Sequence, residues 1–230
     1  MKRYIVLVIL IVLLVGCKST STKPEDKTQK LRSALLTAVT EASQAVPATL
    51  HEALTNKDLL PPSSQILLEQ NQIPGMEKYL ALWHQQVLLA FRKTTIQVPD
   101  LLKPYIDRLQ IDDPVSVLHS SDTSISKLLN QQFGIEISQA VQELLAKELE
   151  ESQNTYAIMY DRYGIWSQGI TLLGKAPLPQ IAKDPTSQLT TIFVATYVKQ
   201  LSQEESNIRT TPTLQGTGSL YETFQQELIK

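Results

Sequence analysis

Apolar residues fall into three regimes along the chain. Residues 4–15 are an unbroken apolar run of twelve, preceded by Lys2 and Arg3 and followed by Gly16 and Cys17. Such a run is too short to cross a bilayer, which takes about 20 residues. Residues 18–30, KSTSTKPEDKTQK, contain no large apolar side chain. That composition cannot bury enough surface to order itself, and it predicts a flexible tether over 17–30. From Leu31 onward the apolar residues recur at helical spacing.

Leu31, Leu35, Ala38, Val39, Ala42 and Val46 lie three and four residues apart and predict a helix that Pro47 ends. Leu59-Leu60-Pro61-Pro62 marks a connection, and Ser63-Ser64 caps a short helix through Gln70. After the Pro74-Gly75 turn, Tyr79, Leu80, Trp83, Val87, Leu88, Phe91 and Ile96 share a helix face over 76–97. Val98-Pro99 opens a separate helix with Leu101, Leu102, Tyr105, Ile106 and Leu109 inward, kinked or displaced by Pro104. Asp113 is a carboxylate cap and Pro114 a first-turn proline, so a short helix follows over 115–118. A long helical stretch then carries Ile125, Leu129, Phe133, Ile137, Val141, Leu145 and Leu149, with Gly134 as a bend point, and residues 156–163 continue it. Residues 164–183, with Gly164, Gly169, Gly174, Pro177 and Pro179, predict a loop around a helical piece. Asp184-Pro185 starts another helix through Leu189, Phe193, Tyr197 and Leu201, and a last helix is expected over 220–229. No stretch alternates as a strand would. The expected fold is all-α: one globular domain of about seven to nine helices over 31–230.

Charge and cysteine content narrow the picture. The 230 residues carry 21 Lys and Arg against 23 Asp and Glu. Without residues 1–16, which include Lys2 and Arg3, the balance is 19 against 23, a net charge of about −4. No basic patch stands out, which argues against nucleic acid as a partner. The one cysteine is Cys17, so no disulfide can form within the chain and no thiolate metal site can be built.

Leu14-Val15-Gly16-Cys17 resembles the lipobox of bacterial lipoproteins. The resemblance implies cleavage before Cys17 and acylation of its thiol and new amino group, palmitate included. Each buried CH₂ contributes about 0.8 kcal/mol, and two or three chains make anchoring stable where one is marginal. The implied localisation is the cell envelope, with the membrane as a partner through Cys17. In a Gram-negative host, lysine rather than aspartate at position 18 implies the outer membrane, facing the periplasm.

Farther along, the chain resembles the bacterial domain-of-unknown-function family numbered 4197. Asp184 and Thr186 match the opening of that family's last helix, and Glu204, Glu205, Ile208, Arg209 and Pro212 match its Glu-Glu-x-x-Ile-Arg-x-x-Pro signature. Val98-Pro99-Asp100, Asp107 and the stretch Leu118-His119-Ser120-Ser121-Asp122 resemble two further segments, and Tyr156, Arg162 and Tyr163 a third. The likeness covers roughly residues 74–224. It departs around Trp83-His84-Gln85-Gln86, where the family's polar run is not evident, and near Val141, where a proline is missing. It implies an all-helical, exported, often lipid-anchored protein and no assigned activity.

Candidate chemistry is sparse. His119, Ser120, Ser121 and Asp122 are the residue types of a hydrolase triad, but a triad converges from separate parts of a fold, and adjacency fits a helix cap better. His51, His84 and His119 are not at metal-ligand spacing, and Glu148, Glu150 and Glu151 read as a solvated helix face. No cofactor or metal is expected. Gly164, Gly169 and Gly174 lack the strand and lysine of a phosphate loop. Tyr156, Tyr160 and Tyr163 lie at i, i+4 and i+7, which suits core packing, or one wall of a groove for a ligand or partner. Glu205 and Arg209 are at i, i+4, with Glu204 alongside; this suits a structural ion pair, or an anion-binding site. The expectation is a non-enzymatic module of the envelope that docks a protein partner. A small-ligand or lipid-binding module, with an apolar pocket near the tyrosines, is the alternative.

Overall fold

The structure, a computed structural model, describes residues 24–69, 73–121 and 123–210. Cys17, Asp122 and the helix expected over 220–229 lie outside the described residues. Among the described residues the chain is all-α. Its helices are α1 (Pro24–Ala53), α2 (Asn56–Leu59), a 3-10 turn (Pro62–Leu68), α3 (Met76–Arg108), α4 (Pro114–Ser120), α5 (Ser124–Glu148), α6 (Glu150–Leu172) and α7 (Thr186–Thr210).

Four long helices close a ring in which α1 packs on α3, α3 on α5, α5 on α7, and α7 on α1. Neighbours run antiparallel. Arg32, near the start of α1, donates through Nη2 to the Leu109 carbonyl at the end of α3, at 2.7 Å. A cation there complements the negative end of the α3 dipole. Tyr105 of α3 meets Phe133 of α5 with ring centroids 5.6 Å apart, while Gln97 Nε2 donates to Glu148 at 3.0 Å. Phe91 of α3 and Phe193 of α7 meet across the middle of the ring at 5.4 Å. The core combines these rings with Leu31, Leu35, Val39, Leu80, Trp83 and Val87. Helix α6 continues beyond α5 and packs along the N-terminal half of α3, where Trp83 and Tyr156 stand 5.8 Å apart.

Four elements depart from the sequence expectation. Helix α1 starts at Pro24, inside the expected tether, and runs past Pro47. Proline at the first helical position is itself a start signal. Interior Pro47 costs about 3 kcal/mol. Burial of Val46 and Leu50 on either side, each contributing about 1.5–3 kcal/mol, is enough to carry the helix across it. Helix α3 absorbs both Pro99 and Pro104 for the same reason. Val98, Leu102 and Ile106 stay buried every fourth residue, so the core row never breaks.

The third departure is a break in the long helix, at Leu149 rather than Gly134. Leu149 is buried with φ −81° and ψ −3°, and it separates α5 from α6. The fourth is that α6 reaches Leu172 through Gly164 and Gly169. It ends at Gly174, whose φ of 76° is the left-handed conformation that glycine adopts at least cost. Lys175 N–H donates to the Ile170 carbonyl at 3.3 Å and Gly174 N–H to Thr171 at 3.0 Å, the paired bonds of a Schellman ending.

Candidate functional site

The tyrosine row turns inward. Tyr156 is 1 % exposed, and its hydroxyl donates to the Ala182 carbonyl at 2.9 Å. Ser64 Oγ lies 2.7 Å from that hydroxyl and accepts from Ala182 N–H at 3.1 Å. The three groups form a closed ring: amide to serine, serine to tyrosine, tyrosine back to carbonyl. It ties the 3-10 turn and residues 174–185 onto α6. Burial pushes the Tyr156 hydroxyl above the usual tyrosine range, and the charge of Asp184 adds to this. Tyr163 donates to the Pro179 carbonyl at 2.6 Å, and burial raises it as well. Tyr160 is half-buried against the core. Tyr156 and Tyr163 therefore do not line a groove, because both rings are covered by their own chain.

The acidic and basic set on α7 is likewise internal. Glu205 is 2 % exposed, and its carboxylate accepts from Ile125 N–H at 2.9 Å and Ser126 N–H at 2.8 Å. These amides belong to the first turn of α5, where N–H groups lack partners within the helix and the dipole favours negative charge. The native cap position, Thr123, makes no side-chain bond to this turn. Glu205 therefore caps α5 from another helix. Arg209 Nη2 donates to Glu205 at 2.7 Å and to Ser124 Oγ at 2.7 Å, while Ser124 Oγ donates in turn to the Val117 carbonyl. An anion-binding role for the guanidinium is corrected by this geometry, since Glu205 already occupies the facing position. Glu204 accepts from Gln200 Nε2 at 2.7 Å and Asn207 Nδ2 at 3.0 Å within α7.

The remaining polar residues stay apart. His51, His84 and His119 sit on α1, α3 and α4. Ser120 Oγ donates to the Val117 carbonyl at 2.9 Å, a bond within its own helix end. Glu148 ties α5 to α3 through Gln97 and, at 3.9 Å, Lys93. Among the described residues no three His, Cys, Asp or Glu side chains converge. A Cβ placed on Gly164 or Gly169 would meet no atom within 4 Å, so neither glycine is required by a close approach.

Two apolar features were not singled out by the sequence. The first is a groove of about 430 Å³ bounded by α3, α5 and α7. Its floor is Val98, Leu102, Leu129 and Phe193, and its α7 wall is Val194, Tyr197, Val198 and Leu201. On α5 it is bordered by Ser126, Asn130, Gly134 and Ser138, four residues apart. Short side chains along one face of α5 leave the space that larger ones would fill. Lys127 is the charged residue among its lining. Tyr197 is anchored behind the wall, donating to the Val39 carbonyl at 3.0 Å with Ser43 Oγ 2.8 Å away, and burial pushes its hydroxyl well up. The groove thus lies by Tyr197, away from the Tyr156–Tyr163 row where a pocket was expected.

The second feature is a pair of exposed apolar rows. On α3, Leu82, Leu89 and Ile96 are 44 %, 44 % and 67 % exposed, half a turn away from buried Leu80, Val87 and Thr94. On α6, Ile158, Ile165 and Leu172 are 44 %, 73 % and 88 % exposed. Both rows repeat every seventh residue, which keeps them on one side of a helix over about 21 Å. The seven-residue spacing is legible in the sequence once the buried face of each helix is known. No protein-family model, curated protein or solved structure matches the chain.

Proposed function

We propose that the chain is a bacterial lipoprotein, anchored through acylated Cys17, whose helical domain docks a protein partner in the cell envelope. The observation that carries this reading is the pair of exposed apolar rows on α3 and α6. Single exposed apolar residues need no explanation, but aligned ones are a feature of helix-docking surfaces. The lipobox-like segment before Cys17 supports the anchoring, and Lys18 supports the outer membrane, facing the periplasm, of a Gram-negative host. Among the described residues no helix is long and apolar enough to cross a membrane, and attachment by lipid requires none. Membership of the family numbered 4197 belongs to the same proposal and rests on the segments quoted above.

The test is photocrosslinking from positions 89 and 165 in intact cells. One recurrent adduct is expected, diminished by Leu82→Glu or Leu172→Glu and absent when the probe is moved to an exposed polar position such as Lys103. Adducts that ignore both substitutions would sink the docking reading. Palmitate labelling that survives Cys17→Ala would sink the anchoring.

A second reading, a small-ligand or lipid-binding module, is supported by the groove. Its volume lies within the range of small-molecule sites and its walls are mostly apolar. Mass spectrometry of the purified chain would then find a lipid held in stoichiometric amount.

A further inference from the structure

The groove between α3, α5 and α7 has a direction. Glu205 of α7 caps the first turn of α5, so the end of α7 meets the start of α5 and the two walls run antiparallel. At that end the lining is Ser126, Lys127 and Asn130 of α5 with Ser202 of α7. Lys127 and Asn130 are exposed there. About three turns farther along α5 the lining is Ile137 and Val141, with Phe193 and Val194 of α7 and Ser138 as the hydroxyl among them. Between the two ends lie Val98, Leu102 and Leu129, each no more than 3 % exposed. A cationic, hydrogen-bonding mouth thus leads to an apolar far end.

The proportions of the groove are those of one hydrocarbon chain. From Lys127 to Val141 the α5 wall is about 21 Å long. Spread over that length, a volume of about 430 Å³ is a cross-section of about 20 Å². Benzene, with its six carbons, takes an engineered cavity of about 150 Å³, or about 25 Å³ per carbon. An extended chain advances about 1.2 Å per bond, so a methylene chain also needs a cross-section of about 20 Å². By volume the groove holds roughly 17 such atoms, and by length it holds roughly 17 in single file. A second chain would double the cross-section.

We propose that the groove binds one straight-chain fatty acid of about 16 carbons, with its carboxylate at Lys127 and its methyl end beside Val141 and Phe193. The proposal rests on the ligand-binding reading of the groove and names its ligand as a single-chain anionic amphiphile.

Two photoreactive hexadecanoic acids test this on the full chain in phosphatidylcholine vesicles, one with a diazirine beside the carboxyl group and one with it beside the methyl end. Peptide mapping should place the first label on 126–130 or 201–202 and the second on 137–141 or 193–194. Unlabelled hexadecanoate should compete for both. Decanoate, at equal free concentration, should compete at least about a hundredfold more weakly, since each CH₂ left out costs about fourfold. Ser138→Phe fills the far end from an exposed position, and by displacing several CH₂ groups it should cut labelling at least about tenfold. Lys127→Glu should weaken competition by hexadecanoate about fivefold and leave that by hexadecanol unchanged, because only the acid carries a charge for an exposed cation to attract. Both labels on the same residues, or either outside the groove, overturns the proposal. So does decanoate competing as well as hexadecanoate. Competition by phosphatidylglycerol equal to that by hexadecanoate also overturns it, and would keep a lipid site but give it two chains. Groove residues that take neither label, in a chain that purifies without lipid, overturn it together with the ligand-binding reading.

Discussion

The two halves of α3 are covered in different ways. The N-terminal half lies under α6, and the edge of that contact is closed by hydroxyls: Tyr156 to Ala182, Ser64 to Tyr156, and Tyr163 to Pro179. The C-terminal half lies under α5 and α7, whose facing residues at the groove are Ser126, Gly134, Ser138, Val194 and Val198. Large amphipathic rings close the first contact, while the row Ser126, Asn130, Gly134 and Ser138 on α5 leaves the second open beside Phe193 and Tyr197. The prominent polar and aromatic residues of this protein therefore hold its elements together. Its available surface is made of residues that draw no notice singly.

The largest effect should come from breaking the link at the mouth of the open half. Glu205→Ala removes a buried carboxylate from between Arg209 and the first turn of α5. Loss of one member of such a buried pair costs about 3–5 kcal/mol. Urea denaturation should show a large fall in midpoint, and Glu205→Gln, which keeps an acceptor, should recover part of it. A change below about 1 kcal/mol would mean that α5 is not capped from α7.

Next in size is the closed half. Tyr156→Phe leaves the ring packed against Trp83 but takes the hydroxyl from both Ser64 and Ala182. Buried polar groups left unpaired cost about 1–3 kcal/mol. Because Ser64 and Tyr156 serve one hydrogen-bonded ring, the double variant Ser64→Ala, Tyr156→Phe should lose less than the sum of the two single losses. Additive losses would show that the ring does not act as a unit.

Much of the fold was legible in the sequence. The helical periodicity named most of the buried rows of α1, α3, α5 and α7, and Asp113-Pro114 marked the start of α4; Ile96, expected on the inward face of α3, is instead 67 % exposed, because it falls two residues past the buried Thr94. What could not be read is where a proline matters. Pro47, Pro99 and Pro104 are helix breakers by local rule, and only burial of Leu50, Val98 and Ile106 against partners distant in sequence overrides it. The candidate site was less legible. A structural ion pair between Glu205 and Arg209 was one of the readings open at i, i+4, but its role as a cap for α5, 80 residues earlier, depends on tertiary contact. The groove was invisible because it is defined by what is missing from facing helices.

Alkaline pH separates the two halves by a smaller margin. Burial holds Tyr156, beside the closed contact, and Tyr197, behind the groove wall, above the ordinary tyrosine value of about 10. The folded state thus keeps protons that the unfolded chain gives up. Stability from these groups is complete below about pH 10 and is lost as pH rises above it, most steeply through Tyr197, at up to about 1.4 kcal/mol per pH unit. Tyr197→Phe should lower stability at pH 8 and flatten the decline between pH 10 and 11. An equal decline in variant and parent would assign the loss to other groups.

The smallest effect on stability should accompany the proposed function. Leu89→Glu and Ile165→Glu alter side chains already 44 % and 73 % exposed, and substitutions at such positions stay within about 0.5 kcal/mol. If the rows serve docking, these variants fold as the parent does and lose the crosslinked adduct, a separation that no substitution in the core can produce. The reason is geometric. Within α3, Leu80, Val87 and Thr94 repeat every seventh residue on the buried side, as Leu82, Leu89 and Ile96 do on the exposed side. The first row is buried within the same chain. The second can be buried only from outside it, so an adduct that persists through Leu89→Glu would leave this face of α3 as ordinary surface.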